Sequence, residues 1–209
     1  MSVNGDGNED ESQHERERKS ESGTVNGNED ENGNGNGNGR ERQTATGGAD
    51  LSSLRTIADY QFGVGAGEAL FPPAETLEVR RTSSGRPQQI HANADGRIAS
   101  FGTDGRFTLG LEGGRRLDAV LESPAYRVIV DDESEPFVRD GKNVFAKFVS
   151  DVGRDVRPGD EVLVTHERGE LLAVGRAELA ADAIRDFETG MAVKVREGAD
   201  GPAESDGGQ

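Results

Sequence analysis

Cysteine is absent from this chain, and its absence excludes both a disulfide framework and a thiolate metal site. Histidine is scarce: His14, His91 and His166 are far apart and fall in no His-x-x-x-His spacing, so the pattern predicts neither a metal centre nor a cofactor. No apolar run approaches the ~20 residues of a membrane span, and no apolar signal core follows Met1. The expectation is a soluble, cytoplasmic protein with no membrane partner. Lysine is rare as well. There are four, Lys19, Lys142, Lys147 and Lys194, and every other base is arginine.

Acid is abundant by contrast, with 40 acidic against 24 basic residues and a net charge of -16 across 209 residues. Residues 1–50 hold 12 acids and 5 bases, which leaves -9 on the remainder, so the acidity is not confined to one end. Much Asp and Glu with little Lys suits a chain that stays hydrated in concentrated salt, where self-repulsion is screened. The composition therefore predicts a halophilic protein and, taken alone, argues against a nucleic-acid partner. Residues 1–49, with their Asn-Gly repeats, carry almost no large apolar side chain and are expected to form a disordered acidic tail; residues 199–209 read the same way.

The stretch "QFGVGAGEALFP" sets Gly63, Gly65 and Gly67 at alternate positions and raises the question of a phosphate cradle. Neither nucleotide fingerprint fits, because Glu68 stands where a glycine or a lysine is required and would repel the anion. The glycines instead follow an amphipathic pattern, Leu51, Leu54, Ile57, Ala58 and Phe62, which predicts a helix stopped at Gly63. Short alternating runs divided by Asp95-Gly96 and Asp104-Gly105 then predict antiparallel hairpins up to Ser123-Pro124. From Tyr126 onward, "YRVIV", a short helix over "ESEPFVRDG", "NVFAKFV", "RPGDEVLVT", "ELLAVGRAEL", a helix over "AADAIRDFETG" and "MAVKVRE" predict a small, mostly antiparallel barrel with a helix across an end. "NVFAKFV" reads as one continuous strand with apolar residues on both faces, and Phe187 reads as inward with Ala183 or Ile184. The fold class is α+β, with domains at 50–123 and 124–198.

The ordered pieces Gly141, "NVFAKFV", "PGDEV", "LLAVGRAEL" and "GMAVKVREG" resemble a PUA domain, an RNA-binding module. "LRTIADYQFGVGAGEALFP" with the small sheet after it resembles the pre-PUA domain of archaeal archaeosine tRNA-guanine transglycosylases, and a haloarchaeal source is expected. The resemblance covers about residues 51–198 and includes no catalytic barrel. It implies a non-catalytic binder of structured RNA, foremost tRNA, that assists a separate tRNA-modifying enzyme. A protein-interaction subunit of such an enzyme, without RNA contact, is the alternative.

The same resemblance places RNA against the helix-to-strand segment after the first strand of the PUA domain and against its last strand, which here are Arg139, Gly141, Lys142, Asn143, Lys147, Lys194 and Arg196. Their chemistry fits. Gly141 lets a sugar-phosphate chain come close, Lys142 and Arg139 can meet phosphates, and Asn143 offers a donor and an acceptor. Lys194 and Arg196 lie two apart and share a strand face. Against this stand plainer roles: strand cations as solvated charges, Gly141 as a helix stop, Arg115-Arg116 as a surface pair. The acids Asp131, Asp132, Glu133 and Glu135 read as a solvated, RNA-averse loop. No catalytic residue set emerges.

Overall fold

The computed structural model describes residues 48–92 and 96–200. The expected disordered tails, apart from residues 48, 49, 199 and 200, and the turn at Asp95 lie outside the described residues. Helix α1 (Gly48–Phe62) buries Leu51, Leu54, Ala58 and Phe62 of the stripe its spacing predicts, with Ile57 half-buried against the same core. It ends where Gly63 turns left-handed (φ 102), and a second left-handed glycine, Gly65 (φ 91), starts α2 (Ala66–Leu70). Gly67 serves another purpose: a Cβ there would overlap the Arg55 carbonyl, so only glycine lets α2 fold back onto α1. The Gly67 N–H donates to Asp59 Oδ1 at 2.7 Å and locks the reversal. The glycine run is thus a helix–helix corner.

Strands β1 (Glu78–Arg81), β2 (Pro87–Ala92), β3 (Gly96–Phe101) and β4 (Phe107–Leu109) form a four-stranded antiparallel meander. Val79, Ile90, Ala99 and Leu109 lie opposite one another along the row and bury one face against α1, α2 and α3 (Leu111–Asp118).

The second sheet is built from β5 (Arg127–Val130), β6 (Val144–Phe145), β7 (Val149–Val152), β8 (Glu161–His166), β9 (Leu171–Ala177) and β10 (Met191–Gly198), in the order β6-β10-β9-β8-β5-β7. All pairs are antiparallel except β5–β8. Helices α4 (Glu135–Arg139) and α5 (Ala181–Asp186) complete it. Here "NVFAKFV" departs from expectation. It runs as a strand only to Phe145, because β10 begins at Met191 and the Ala146 N–H already bonds Gly190 O at 2.9 Å, beyond the last paired residue. A 3-10 turn (Ala146–Phe148) then carries the chain to β7. One segment therefore supplies both edge strands, which curls the sheet into a nearly closed barrel. Val144 and Ala146 point inward, and Phe145 stays half exposed. Phe187 also lies outside, while Ala181 and Ile184 fill its expected place.

The two sheets share a core. Leu163 and Val174, opposite each other on β8 and β9, are buried in the cluster that contains Phe62, Ile98 and Leu109. Polar links reinforce the contact. Glu161, 4% exposed, accepts the Leu109 N–H at 2.9 Å and both arms of the Arg196 guanidinium at 2.6 and 2.7 Å. Glu197 accepts from Arg97 at 3.2 Å and from the Leu111 N–H at 3.1 Å.

Candidate nucleic-acid interface

The loop after α4 is fixed by its neighbours more than by itself. Gly141 is left-handed (φ 83), its N–H bonds Val138 O at 2.9 Å, and the Lys142 N–H bonds Phe137 O at 2.9 Å. Beneath it, Gly198 has no room for a side chain: a Cβ would overlap the Arg139 carbonyl and come within 2.6 Å of the Gly141 nitrogen. Asn143 stitches the loop to β10 by accepting the Val195 N–H on Oδ1 at 3.0 Å. That bond commits its carbonyl oxygen.

The seven expected contact residues separate by what each already holds. Lys142 is exposed, with Asp140 3.6 Å away. Lys147 is exposed on the 3-10 turn, its ammonium 4.3 Å from the Phe148 ring centre. Lys194 is exposed on β10 beside Val195. Arg139 is 19% exposed and holds Glu135 at 3.0 Å, Glu170 at 2.6 Å and Asp200 at 3.9 Å. The Glu170 carboxylate, then Glu135, raises its pKa further. Arg196 is closed beneath the first sheet by Glu161 and by the Leu109 carbonyl at 3.4 Å. Lys194 and Arg196 do share a face, but the neighbouring sheet covers the part of it that carries Arg196.

Strand pairing adds a residue that the sequence reading passed over. Lys194 lies directly opposite Arg176 on β9, so both project from one face. With Val195 and Arg196 they line a cleft of about 270 Å³. Arg176 is half exposed and paired to Glu178 at 2.7 Å. The local signal for it was absent, because the two residues meet only through the β9–β10 register. The face that runs from the 141–143 loop across β10 to β9 thus carries Lys142, Asn143, Lys194 and Arg176, and the half-exposed Phe145 lies on the adjoining edge strand.

The acidic run before α4 is not simply solvated. Arg168, from the β8–β9 turn, bridges Asp132 Oδ1 at 2.7 Å and Glu135 Oε2 at 2.6 Å. Arg139 and then Arg168 hold the Glu135 carboxyl below its usual range. Asp132, Glu135 and His166 bring three metal-competent atoms within 4.8 Å of one another. Their chemistry does not suit an ion as they stand. His166 Nδ1 accepts the Arg168 N–H at 3.0 Å, which puts the imidazole proton on Nε2 and removes the lone pair a metal needs. That buried Nε2 faces Asp132 at 3.1 Å and Glu135 at 3.5 Å without forming an in-line hydrogen bond. The cation that these carboxylates hold is Arg168.

Two family models cover the described chain. Residues 52–124 match the patch-forming domain C2 of tRNA-guanine transglycosylase, and residues 126–199 match the PUA domain. The chain carries a C2 domain followed by a PUA domain. The tRNA-guanine(15) transglycosylase of Thermococcus kodakarensis is 50% identical over 143 residues, 68% of this chain and 24% of that relative. The enzyme of the same name from Methanothermobacter thermautotrophicus is 45% identical over 149 residues, 71% of this chain and 23% of the relative. The chain is homologous to the C-terminal region of these archaeal proteins and spans about a quarter of their length. Among solved structures, a hypothetical protein from Pyrococcus horikoshii OT3 matches with TM-score 0.54 and 20% identity, over 72% of this chain and 90% of that one. A PUA-domain protein from Aeropyrum pernix K1 matches with TM-score 0.54 and 20% identity, over 76% and 86%. At that identity the likeness concerns the fold. Among the described residues, no helix is long and apolar enough to cross a membrane.

Proposed function

We propose that the protein binds structured RNA, foremost tRNA, without catalysis, through the PUA face that carries Lys142, Asn143, Lys194 and Arg176, with Lys147 at its edge. PUA domains bind RNA, and the relatives are tRNA-modifying enzymes, which supports a role beside a separate enzyme of that kind. The observation that carries the reading is the lysine placement. Three of the four lysines in a lysine-poor chain are exposed, on the loop before β6, on the 3-10 turn after it and on β10, the strand that β6 pairs with. The overall acidity does not oppose it. Counterion release weakens as salt rises, and in molar salt the screening length falls to about 3 Å, so local hydrogen bonds and shape decide recognition.

The test is the pair Lys142→Glu with Lys194→Glu, measured by filter binding of unfractionated tRNA across a salt series. Binding should weaken and the salt dependence should flatten by roughly one unit of slope for each lost phosphate contact. The matched control is Glu68→Lys with Glu122→Lys, two exposed acids of the C2 domain. An equal effect from the control refutes the surface.

The second reading, a protein-interaction subunit without RNA contact, has one observation in its favour. Tyr60 and Val64 are 94% and 99% exposed at the rigid helix corner, in a segment (57–74) without a single lysine or arginine. A parent protein that binds no tRNA at any salt concentration makes this the better reading.

A further inference from the structure

An acid beside an RNA surface is expected to weaken binding by repulsion. Glu135 sits in a place where the opposite follows. It is the carboxylate shared by two arginines: Oε1 accepts Arg139 Nε at 3.0 Å and Oε2 accepts an Arg168 guanidinium nitrogen at 2.6 Å. Arg168 belongs to the β8–β9 turn and also holds Asp132 at 2.7 Å. Arg139 ends α4 and also holds Glu170, at the start of the same hairpin's return, at 2.6 Å. Glu135 thus joins both ends of α4 to one hairpin. The residue after α4 is Asp140, and the loop 141–143 follows directly. Its other supports are Val138, buried in the barrel core, the Asn143 bond to the Val195 N–H, and backbone contacts in which Arg139 O accepts the Asp200 N–H at 3.0 Å and lies against Gly198. The Gly141 and Lys142 N–H groups bond back to α4, so a shift of α4 moves Lys142 and strains the Asn143 bond to β10.

We propose that Glu135 strengthens RNA binding: acting through Arg139 and Arg168, it is the positioning residue for the loop that presents Lys142 and Asn143. The proposal rests on the RNA reading above. It also reassigns Arg139 from a phosphate contact to a positioning residue, since its guanidinium is committed to three carboxylates. A loop held in its bound shape before RNA arrives leaves less side-chain freedom to lose on binding.

The sign of the effect separates this from simple electrostatics. Glu135→Gln removes one negative charge near the RNA, so repulsion alone predicts tighter binding. The proposal predicts weaker binding of unfractionated tRNA, by about 3–10-fold, as the loop regains freedom. The slope of log K against log salt should stay that of the parent in Glu135→Gln and in Arg139→Gln, whereas a direct phosphate contact by Arg139 would lower it by roughly one. Glu170→Gln, at an exposed carboxylate, should act in the same direction by a smaller factor and remains informative if Glu135→Gln folds poorly. In the free protein, the Gly141 and Lys142 amides should exchange faster in Glu135→Gln. Binding as tight as the parent's or tighter in the folded variants overturns the proposal, as does a slope lowered by Arg139→Gln. A parent that binds no tRNA overturns it through the RNA reading, and the exchange measurement then shows whether Glu135 still holds the loop.

Discussion

A methyl group on Gly198 would overlap the backbone carbonyl of Arg139, an atom that cannot rotate out of the way. Gly198→Ala therefore forces β10 and the loop after α4 apart, with an expected loss of about 1–3 kcal/mol, the usual cost of overpacking. A melting temperature equal to the parent's would mean that the two backbones are not in contact. Other single residues separate by the same reasoning. Leu163 is fully buried where the two sheets meet, so Leu163→Ala should cost about 2–5 kcal/mol. Phe145 is nearly half exposed, so Phe145→Ala should stay within about 0.5 kcal/mol in urea titration. Sequence alone did not rank these. An alternating apolar run gives phenylalanine a place in the core by default, while the neighbour that fills that place, Ala146, carries little signal. The Gly63 stop was legible because a left-handed residue after an amphipathic run has few alternatives. The need for glycine at 67 and 198 was not, because the atoms that exclude a Cβ belong to Arg55 and Arg139, well away along the chain.

At the scale of elements, α4 is five residues long and makes no side-chain cap hydrogen bond at its start, so its own hydrogen bonds cannot hold it. Val138, buried in the barrel core, and arginine pairs at both ends do. The Glu135 carboxyl is held below its usual range by Arg139 and Arg168, so between its folded and unfolded pKa the unfolded chain binds more protons. Its contribution is therefore complete above the ordinary carboxylate range and is lost as pH falls through the depressed folded value. Thermal melts from pH 7 down to pH 3 should show Glu135→Gln losing less stability on acidification than the parent; parallel curves would contradict the pairing. Most elements were readable from sequence, the hairpin at Asp104-Gly105 and the strands after Tyr126 among them, because turn residues and alternation are local. The break after Phe145 was hidden. It depends on β10 starting at Met191, some forty-five residues later, and no local pattern records where a partner strand begins. Arg176 was hidden in the same way, as a residue made relevant only by its register with Lys194.

For the molecule as a whole, the contact between C2 and PUA decides how the surface is used. Arg196 was expected to face RNA and instead joins the domains, because Glu161, in the PUA strand β8, reaches the C2 backbone at Leu109 and needs a counter-charge there. The pair is almost shut off from water: Glu161 is 4% exposed and the Arg196 side chain 19%. Apolar contact continues beside it through Leu163 and Val174, which belong to the C2 core although they lie on PUA strands. The C2 domain does not close its core alone, whereas the PUA barrel also keeps a buried cluster of its own. The parent protein should therefore unfold in one calorimetric transition, with calorimetric and van't Hoff enthalpies in agreement. Glu161→Gln keeps the side-chain shape but leaves the Arg196 charge without its partner, and removing one member of a buried pair costs about 3–5 kcal/mol. If that link is what couples the domains, the variant should melt earlier and its transition should broaden or split, with the van't Hoff enthalpy falling below the calorimetric one. Two transitions in the parent would show that C2 and PUA fold independently. An unchanged single transition in Glu161→Gln would assign the coupling to Leu163 and Val174, and Leu163→Ala would then have to split it.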